Sequence, residues 1–236
     1  IQKRQIQFAL SNKNDDYVDL SNISKLLKQH VYPLHFFDFE SYNVPIPNVR
    51  LSRPYQQIPF QYSLHILNED GTLIHKEFFG DGVNDPRPEL INKMIADLGN
   101  RGTVIAFNDS FEKTIINQLI QYSPDKEKGL QLILNRFFDL ADIFQKGYYY
   151  NRRMGGSFSI KSVLPALFPD DPDLNYQNLD QVHKGDEASA AYLSLKELQP
   201  DERNVLRNNM LKYCSLDTYA MVKIYLKLMD LVNKGN

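Results

Sequence analysis

The run 34–40 (LHFFDFE) ends in two acids, and a third acid completes a Tyr-x-x-x-Asp spacing near the end of the 236-residue chain. Side chains alternate along an extended strand, so Asp38 and Glu40 share one face while Phe37 and Phe39 share the other. Acids are poor strand formers, and two like charges set among phenylalanines call for a cation beside them, unless the strand end reaches water. Hard divalent cations take carboxylate oxygens, and Mg²⁺ commonly keeps one or two carboxylates together with waters and phosphate oxygens. Asp217 lies on the apolar stripe that runs from Leu206 to Leu231, where an ionised carboxylate needs a metal, a cationic partner or a cleft. Tyr213 precedes it by one helical turn on the same face. Glu112 is the fourth acid, in the first turn of a helix that follows the short apolar run 103–107; its position also suits the helix dipole alone.

These side chains must be held by elements that the pattern predicts. Strands are expected over 34–40, 58–67 and 72–79, the last two joined by a hairpin through Asn68-Glu69-Asp70-Gly71. A helix is expected over 88–98, a buried strand over 103–107, a helix over 110–122 capped by Asn108, Asp109 or Ser110, and a fifth strand over 137–143. Helices over 159–167, 187–196 and 201–232 complete the chain. Hairpin first and strands alternating with helices later predict a mixed sheet covered by helices. Carboxyl ends of central strands are where open α/β sheets place ligands, which is where Glu112 falls. Residues 1–31 read as an N-terminal arm or a remnant of an upstream region, with a short amphipathic helix from Ser21.

With 42% hydrophobic and 24% charged residues the chain can bury a full core. Its 27 Lys+Arg against 29 Asp+Glu give no global basic field for duplex nucleic acid, so any such contact needs a local patch. The single cysteine, Cys214, excludes an internal disulfide and any multi-cysteine metal site, and a reducing, cytoplasmic setting is expected. No run approaches the roughly 18 apolar residues of a membrane span, and residues 1–15 lack the apolar centre of a signal peptide, so no membrane is expected. Because the chain begins with Ile1, it is expected to be part of something longer.

Three segments in this order, Phe37-Asp38-Phe39-Glu40, Asn108-Asp109-Ser110-Phe111-Glu112 and Tyr213-Cys214-Ser215-Leu216-Asp217, resemble the motifs of the DEDD 3′–5′ exonuclease superfamily, in the branch whose third motif is Tyr-x-x-x-Asp. More narrowly, 54–65 (PYQQIPFQYSLH), 156–161 (GSFSIK) and 213–218 (YCSLDT) resemble a bacterial domain family within that superfamily, often fused behind a Cas4-like nuclease region. The resemblance covers about residues 33–232. It implies an α/β, ribonuclease-H-like domain over 32–236: a mixed five-stranded sheet with helices on both faces. It also implies a hydrolase that uses two Mg²⁺ or Mn²⁺ ions. Asp38 would bridge the ions, Glu40, Glu112 and Asp217 would complete their shells, and Tyr213 would orient the attacking water. The second motif of the superfamily usually ends in Asp, where this chain has Glu112. Spacing alone leaves a magnesium phosphatase site open.

On the substrate side, Tyr148, Tyr149 and Tyr150 beside Arg152 and Arg153 combine aromatics and cations in a way that suits stacking on single-stranded DNA or RNA, or else form an aromatic strand edge with a solvated Arg pair. Gly155-Gly156-Ser157-Phe158-Ser159 with Lys161 offers backbone N–H groups for a phosphate, or else a turn before a capped helix. Arg53, Gln57 and Gln61 are further candidates. Asp170, Asp171 and Asp173 read as a solvated turn. The expected activity is exonucleolytic cleavage of single-stranded ends; a noncatalytic nucleic-acid-binding or scaffold module and a small-molecule phosphatase are the alternatives.

Overall fold

The computed structural model describes residues 16–171 and 185–235, together with Lys3, Gln5, Ile6, Leu10 and Leu174. In chain order its first elements are β1 (Tyr17–Val18), α1 (Leu20–Leu27), β2 (Leu34–Tyr42), β3 (Ile58–Leu67), β4 (Leu73–Phe79), α2 (Arg87–Leu98) and β5 (Thr103–Ala106). There follow α3 (Ser110–Tyr122), α4 (Glu127–Leu134), β6 (Phe137–Asp139), α5 (Asp142–Gln145), β7 (Tyr149–Tyr150), α6 (Ile160–Leu167), α7 (Gly185–Ser194) and α8 (Pro200–Lys234).

Five strands make one mixed sheet in the order β4-β3-β2-β5-β6. β3 runs antiparallel to both β2 and β4, while β2, β5 and β6 run parallel. The β3–β4 hairpin turns on Gly71, whose φ of +86° lies in the region that only glycine adopts freely, and the Asp70 carboxylate accepts the Thr72 N–H at 2.9 Å. Alternation along β2 divides its side chains between two cores. Phe37 and Phe39 join α2, α3 and α4 on one face, whereas Leu34 and Phe36 join α1, α6 and α8 on the other. Each such phenylalanine, fully removed from water, contributes roughly 1.5–3 kcal/mol. A third cluster packs Tyr42, Ile58 and Phe60 against Tyr192 of α7 and against Met210 and Tyr213 of α8.

The segment expected as an arm is, from Tyr17 onward, part of the fold. β1 pairs with β7, and Ile23 and Leu27 of α1 are buried in the core shared with α8. The Asp19 carboxylate caps α1 by accepting the Asn22 N–H at 3.1 Å. The fifth strand is shorter than its apolar run suggests. Its last residue, Asp139, turns its carboxylate back to accept the N–H groups of Asn108 and Ala141, which ends β6 and starts α5. The helix α4 is an element that the pattern did not predict. Among the described residues no helix is long and apolar enough to cross a membrane.

Candidate metal centre

β2 is paired with β5 only from Leu34 to Phe36, so Asp38 is the first inward-facing residue beyond the last rung. There the two strands part, and a cleft of about 530 Å³ opens. Asp38 and Glu40 from β2, Lys161 from α6, and Tyr213 and Asp217 from α8 line it. Glu40, Tyr213 and Asp217 are all buried. Glu112 reaches the same neighbourhood from the first turn of α3. The turn that delivers it passes through Asn108 at φ +69°, a left-handed conformation that asparagine tolerates, with its N–H on Asp139. None of Asn108, Asp109 and Ser110 makes the expected side-chain cap to α3. Asp109 occupies the cap position, but its carboxylate goes to Lys113 at 2.5 Å, and Ser110 Oγ donates to Asn108 Oδ1.

Electrostatics mark the site. Burial, followed by the charges of Asp217, Glu112 and Glu40, holds the Asp38 carboxyl well above its ordinary range. Burial and Asp217 push Glu40 up to about 8, against the pull of Lys161. Glu112 also stands at about 8, raised mainly by burial, and its Oε2 is buried without a hydrogen-bond partner. Tyr213 is raised by burial and by the surrounding acids, so its hydroxyl keeps its proton. Its oxygen accepts from Lys161 Nζ at 3.1 Å.

Such a set fits a divalent cation on its own chemistry: hard oxygen donors that repel one another, an orphaned buried carboxylate oxygen and an opening to solvent. Asp38, Glu40 and Cys214 each offer a ligand atom within 4.8 Å of the others. Glu112 and Asp217 stand outside this group yet act on its charge. The place of Cys214 was missed in the sequence, although its position three residues before Asp217 puts it on the same helical face.

The substrate-side candidates divide. Lys161 and Gln57 line the cleft, the latter accepting Ser41 Oγ at 2.7 Å. Gln61 does not line it. It is buried, with Nε2 donating to the Met210 carbonyl at 3.0 Å, and so ties β3 to α8. Arg152 and Arg153 lie exposed on a short 3₁₀ turn and do not line the cleft, and Arg53 is exposed elsewhere. Tyr149 and Tyr150 are buried in pairing with β1, and Tyr149 donates to Asp16 at 2.6 Å, so neither offers a free face for a base. Ser157 is exposed, with its hydroxyl on Ser159. The Gly155 and Ser157 N–H groups are spent on the carbonyls of Arg152 and Met154, so they do not form a phosphate cradle. Asp171 pairs with Lys223 and Asp170 is exposed; Asp173 lies outside the described residues.

The family model described as "Domain of unknown function (DUF2779)" matches residues 35–159, more than half of the 236. The chain belongs to the DUF2779 family. That match takes in Asp38, Glu40 and Glu112, whereas Lys161, Tyr213 and Asp217 lie beyond its end. The DUF2779 chain is also similar to the uncharacterized protein MG366 of Mycoplasma genitalium, at 32% identity over 97% of this chain and 35% of that protein. Its homolog in Mycoplasma pneumoniae is 29% identical over 88% of this chain and 33% of its own length. The chain thus spans about a third of the length of these curated relatives. No solved structure matches it.

Proposed function

We propose that this DUF2779 domain is a metal-dependent 3′–5′ exonuclease of the ribonuclease-H-like fold, cleaving phosphodiester bonds at single-stranded DNA or RNA ends with two Mg²⁺ or Mn²⁺ ions. The observation that carries the reading is that Asp38 and Glu40 from β2 and Tyr213 and Asp217 from α8 line one cleft at the open ends of β2 and β5, with Glu112 of α3, outside the cleft lining, acting electrostatically on Asp38 and Glu40. The sheet order β4-β3-β2-β5-β6, with helices on both faces, agrees with that fold.

In this reading Asp38, Glu40, Glu112 and Asp217 hold the ions. When bound, the ions supply a water of lowered pKa and stabilise the departing 3′ oxygen. The Tyr213 hydroxyl orients the attacking water. Phe107 and Phe111 on the cleft wall offer ring faces for a terminal base. A reducing, cytoplasmic setting goes with it, as does an upstream Cas4-like nuclease region in a longer chain.

The test is incubation with end-labelled single-stranded DNA and RNA, with Mn²⁺ or with chelator. Metal-dependent ladders shortening from the 3′ end are the expected result. Binding without hydrolysis would instead select a noncatalytic module, a reading favoured by Glu112 standing where the superfamily usually has Asp. Turnover of a small phosphoester alone would select a phosphatase.

A further inference from the structure

Between β2 and β3 the chain runs through residues 43–57, a stretch that carries Arg50 and Arg53 and no acid. Both of its ends belong to the cleft, with Asn43 in the lining at the start and Gln57 at the finish. The loop is tied down at two places. The Tyr55 N–H donates to the Val44 carbonyl at 2.9 Å, and the Arg50 carbonyl accepts from Arg87, a buried side chain paired with Asp85. Arg53-Pro54-Tyr55-Gln56 is a closed turn: the Gln56 N–H donates to the Arg53 carbonyl at 3.1 Å, and the Gln56 side chain accepts the Arg53 N–H at 3.0 Å. Proline at the second place and a positive φ at the third follow the type II pattern, whose third place is usually glycine. Here it is tyrosine, at φ +59°. Its Cβ makes that conformation costly, and the ring gains no burial in return, since Tyr55 is 69% exposed. Neither the backbone nor the core calls for an aromatic ring at this corner, so its use lies outside the fold.

We propose that this turn is a platform for the single strand on its way into the cleft: the Tyr55 ring stacks on a base upstream of the one being removed, and the Arg53 guanidinium holds a phosphate. The assignment rests on the exonuclease reading and specifies where the strand is held outside the cleft. Reach agrees with it. Tyr55 is two residues from Gln57, which puts their Cα atoms within about 7 Å, and its N–H partner Val44 adjoins Asn43. With 27 Lys+Arg against 29 Asp+Glu the chain has no general attraction for nucleic acid, so its grip must come from a local run of cations such as this one. An exposed ring with a guanidinium two residues away suits a polyanion that carries a flat base on every unit, whatever its sequence. The two arginines favour such a strand over an apolar protein partner, which Ile46 and Leu51, exposed on the same loop, would otherwise suit.

The experiment measures the affinity for 5′-labelled single-stranded DNA and RNA of about 12 nucleotides by fluorescence anisotropy, over a range of salt, with Ca²⁺ in place of Mn²⁺. Tyr55→Ala should weaken binding roughly tenfold, within the worth of one stacked base, and leave the slope of log K against log salt as it is. Arg53→Ala should make that slope shallower by about 0.7, the share of one phosphate on a single strand. Tyr55→Trp should bind as tightly as wild type. Tyr55→Asn, which suits the turn better than tyrosine does, should lose as much affinity as Tyr55→Ala while keeping the melting temperature. With Mn²⁺ present, the rise in KM in Tyr55→Ala should be confined to the long strand and be absent for a dinucleotide, which is too short to reach the turn. Equal long-strand affinity in wild type, Tyr55→Ala and Arg53→Ala overturns the proposal and assigns the loop to a protein partner, and the exonuclease reading stands if wild type still cuts. A wild type that binds, is weakened by Tyr55→Ala and yet cuts neither polymer upholds the platform and overturns the exonuclease activity.

Discussion

The Cys214 thiol on α8 lies 3.7 Å from Asp38 Oδ2 on β2 and 3.9 Å from the Asp38 carbonyl oxygen. It links the last helix to the strand that carries two of the acids. Its hydrogen bond pulls the Asp38 carboxyl down, against burial and three neighbouring carboxylates. Cys214→Ala should therefore raise that carboxyl further and weaken Mn²⁺ binding at neutral pH by roughly three-fold, the worth of a weak hydrogen bond, with about 1 kcal/mol of stability lost from the small cavity. Cys214→Ser should bind Mn²⁺ more nearly as wild type does. Mn²⁺ titrations followed by melting temperature decide it, and equal affinity in wild type and Cys214→Ala would remove the thiol from the account.

Metal and pH should act together on stability. Glu40 and Glu112 have folded values of about 8 against an ordinary 4.5, so the folded state holds protons that the unfolded state has released. Their stabilisation is complete below 4.5 and fades as pH rises through 8. His30, His35 and His65, lowered from 6.5 to about 4, have the opposite sign and act only below about 6.5. Between 6.5 and 8 the carboxylates act alone, and the metal-free melting temperature should fall. Mn²⁺ should restore it, adding about 2.7 kcal/mol at a hundred-fold excess over Kd. Asp38→Asn should abolish the Mn²⁺ increment. Calorimetry at several pH values checks the sign, and a rise from pH 6.5 to 8 without metal would contradict it.

Glu112 and Asp109, three residues apart, should behave differently. Glu112→Gln should abolish hydrolysis while leaving the metal-free protein at least as stable, because it removes a carboxyl that burial keeps from ionising. Asp109→Asn breaks the pair with the half-exposed Lys113 and eases the repulsion that Asp109 exerts on Glu112 and Asp139, and should cost about 0.5 kcal/mol or less, with activity kept. Parallel rate and melting measurements on the two variants are sufficient. Reversed outcomes would move the ligand to Asp109.

Tyr213→Phe should lower the rate by roughly 10²-fold while keeping the Mn²⁺ increment in melting temperature, since the ring still packs beside Met210 and Tyr192. Asp217→Asn should lose rate and Mn²⁺ binding together. Full activity in Tyr213→Phe beside an inactive Asp217→Asn would leave the acids in place and take the tyrosine out of the chemistry.

Gln61→Ala should cost about 2 kcal/mol through a cavity and the lost bond to Met210, with KM for oligonucleotide unchanged in the folded protein. An altered KM at unchanged stability would return Gln61 to the substrate side.

What could be read in advance follows how local each signal is. β3 and α3 begin and end where their residue pattern places them, at Ile58–Leu67 and Ser110–Tyr122, because alternation or helical spacing together with the neighbouring turns decides both. α4 carries Gly129, a residue that favours no helix locally. A Cβ there would come within 3.0 Å of Ile95 on α2, and no local pattern reveals that distant neighbour. The burial of Tyr149 comes from the core and from the pairing of β7 with β1, more than a hundred residues away along the chain, with its hydroxyl donating to Asp16. The acids were legible because Asp38, Glu40 and Asp217 contradict the apolar stretches that carry them. Ser41 and Cys214 contradict nothing around them, so only the fold reveals the place of Ser41 in the cleft and of Cys214 behind Asp38.

The pairing of β2 with β3 slips by one residue between Glu40 and Ser41. Up to Glu40 the strand is held by β3 along its length and by β5 at its start; past the slip, Ser41 and Tyr42 are held in the sheet by β3 alone. The slip therefore divides the strand into two parts with different freedom to change. A substitution before it disturbs the acids and both cores, whereas exchanges at Ser41 and Asn43, which face the cleft, reshape its mouth and leave the carboxylates where they are. On the proposed exonuclease reading, exchanges at those two positions would change which end is gripped while leaving the carboxylate chemistry as it is.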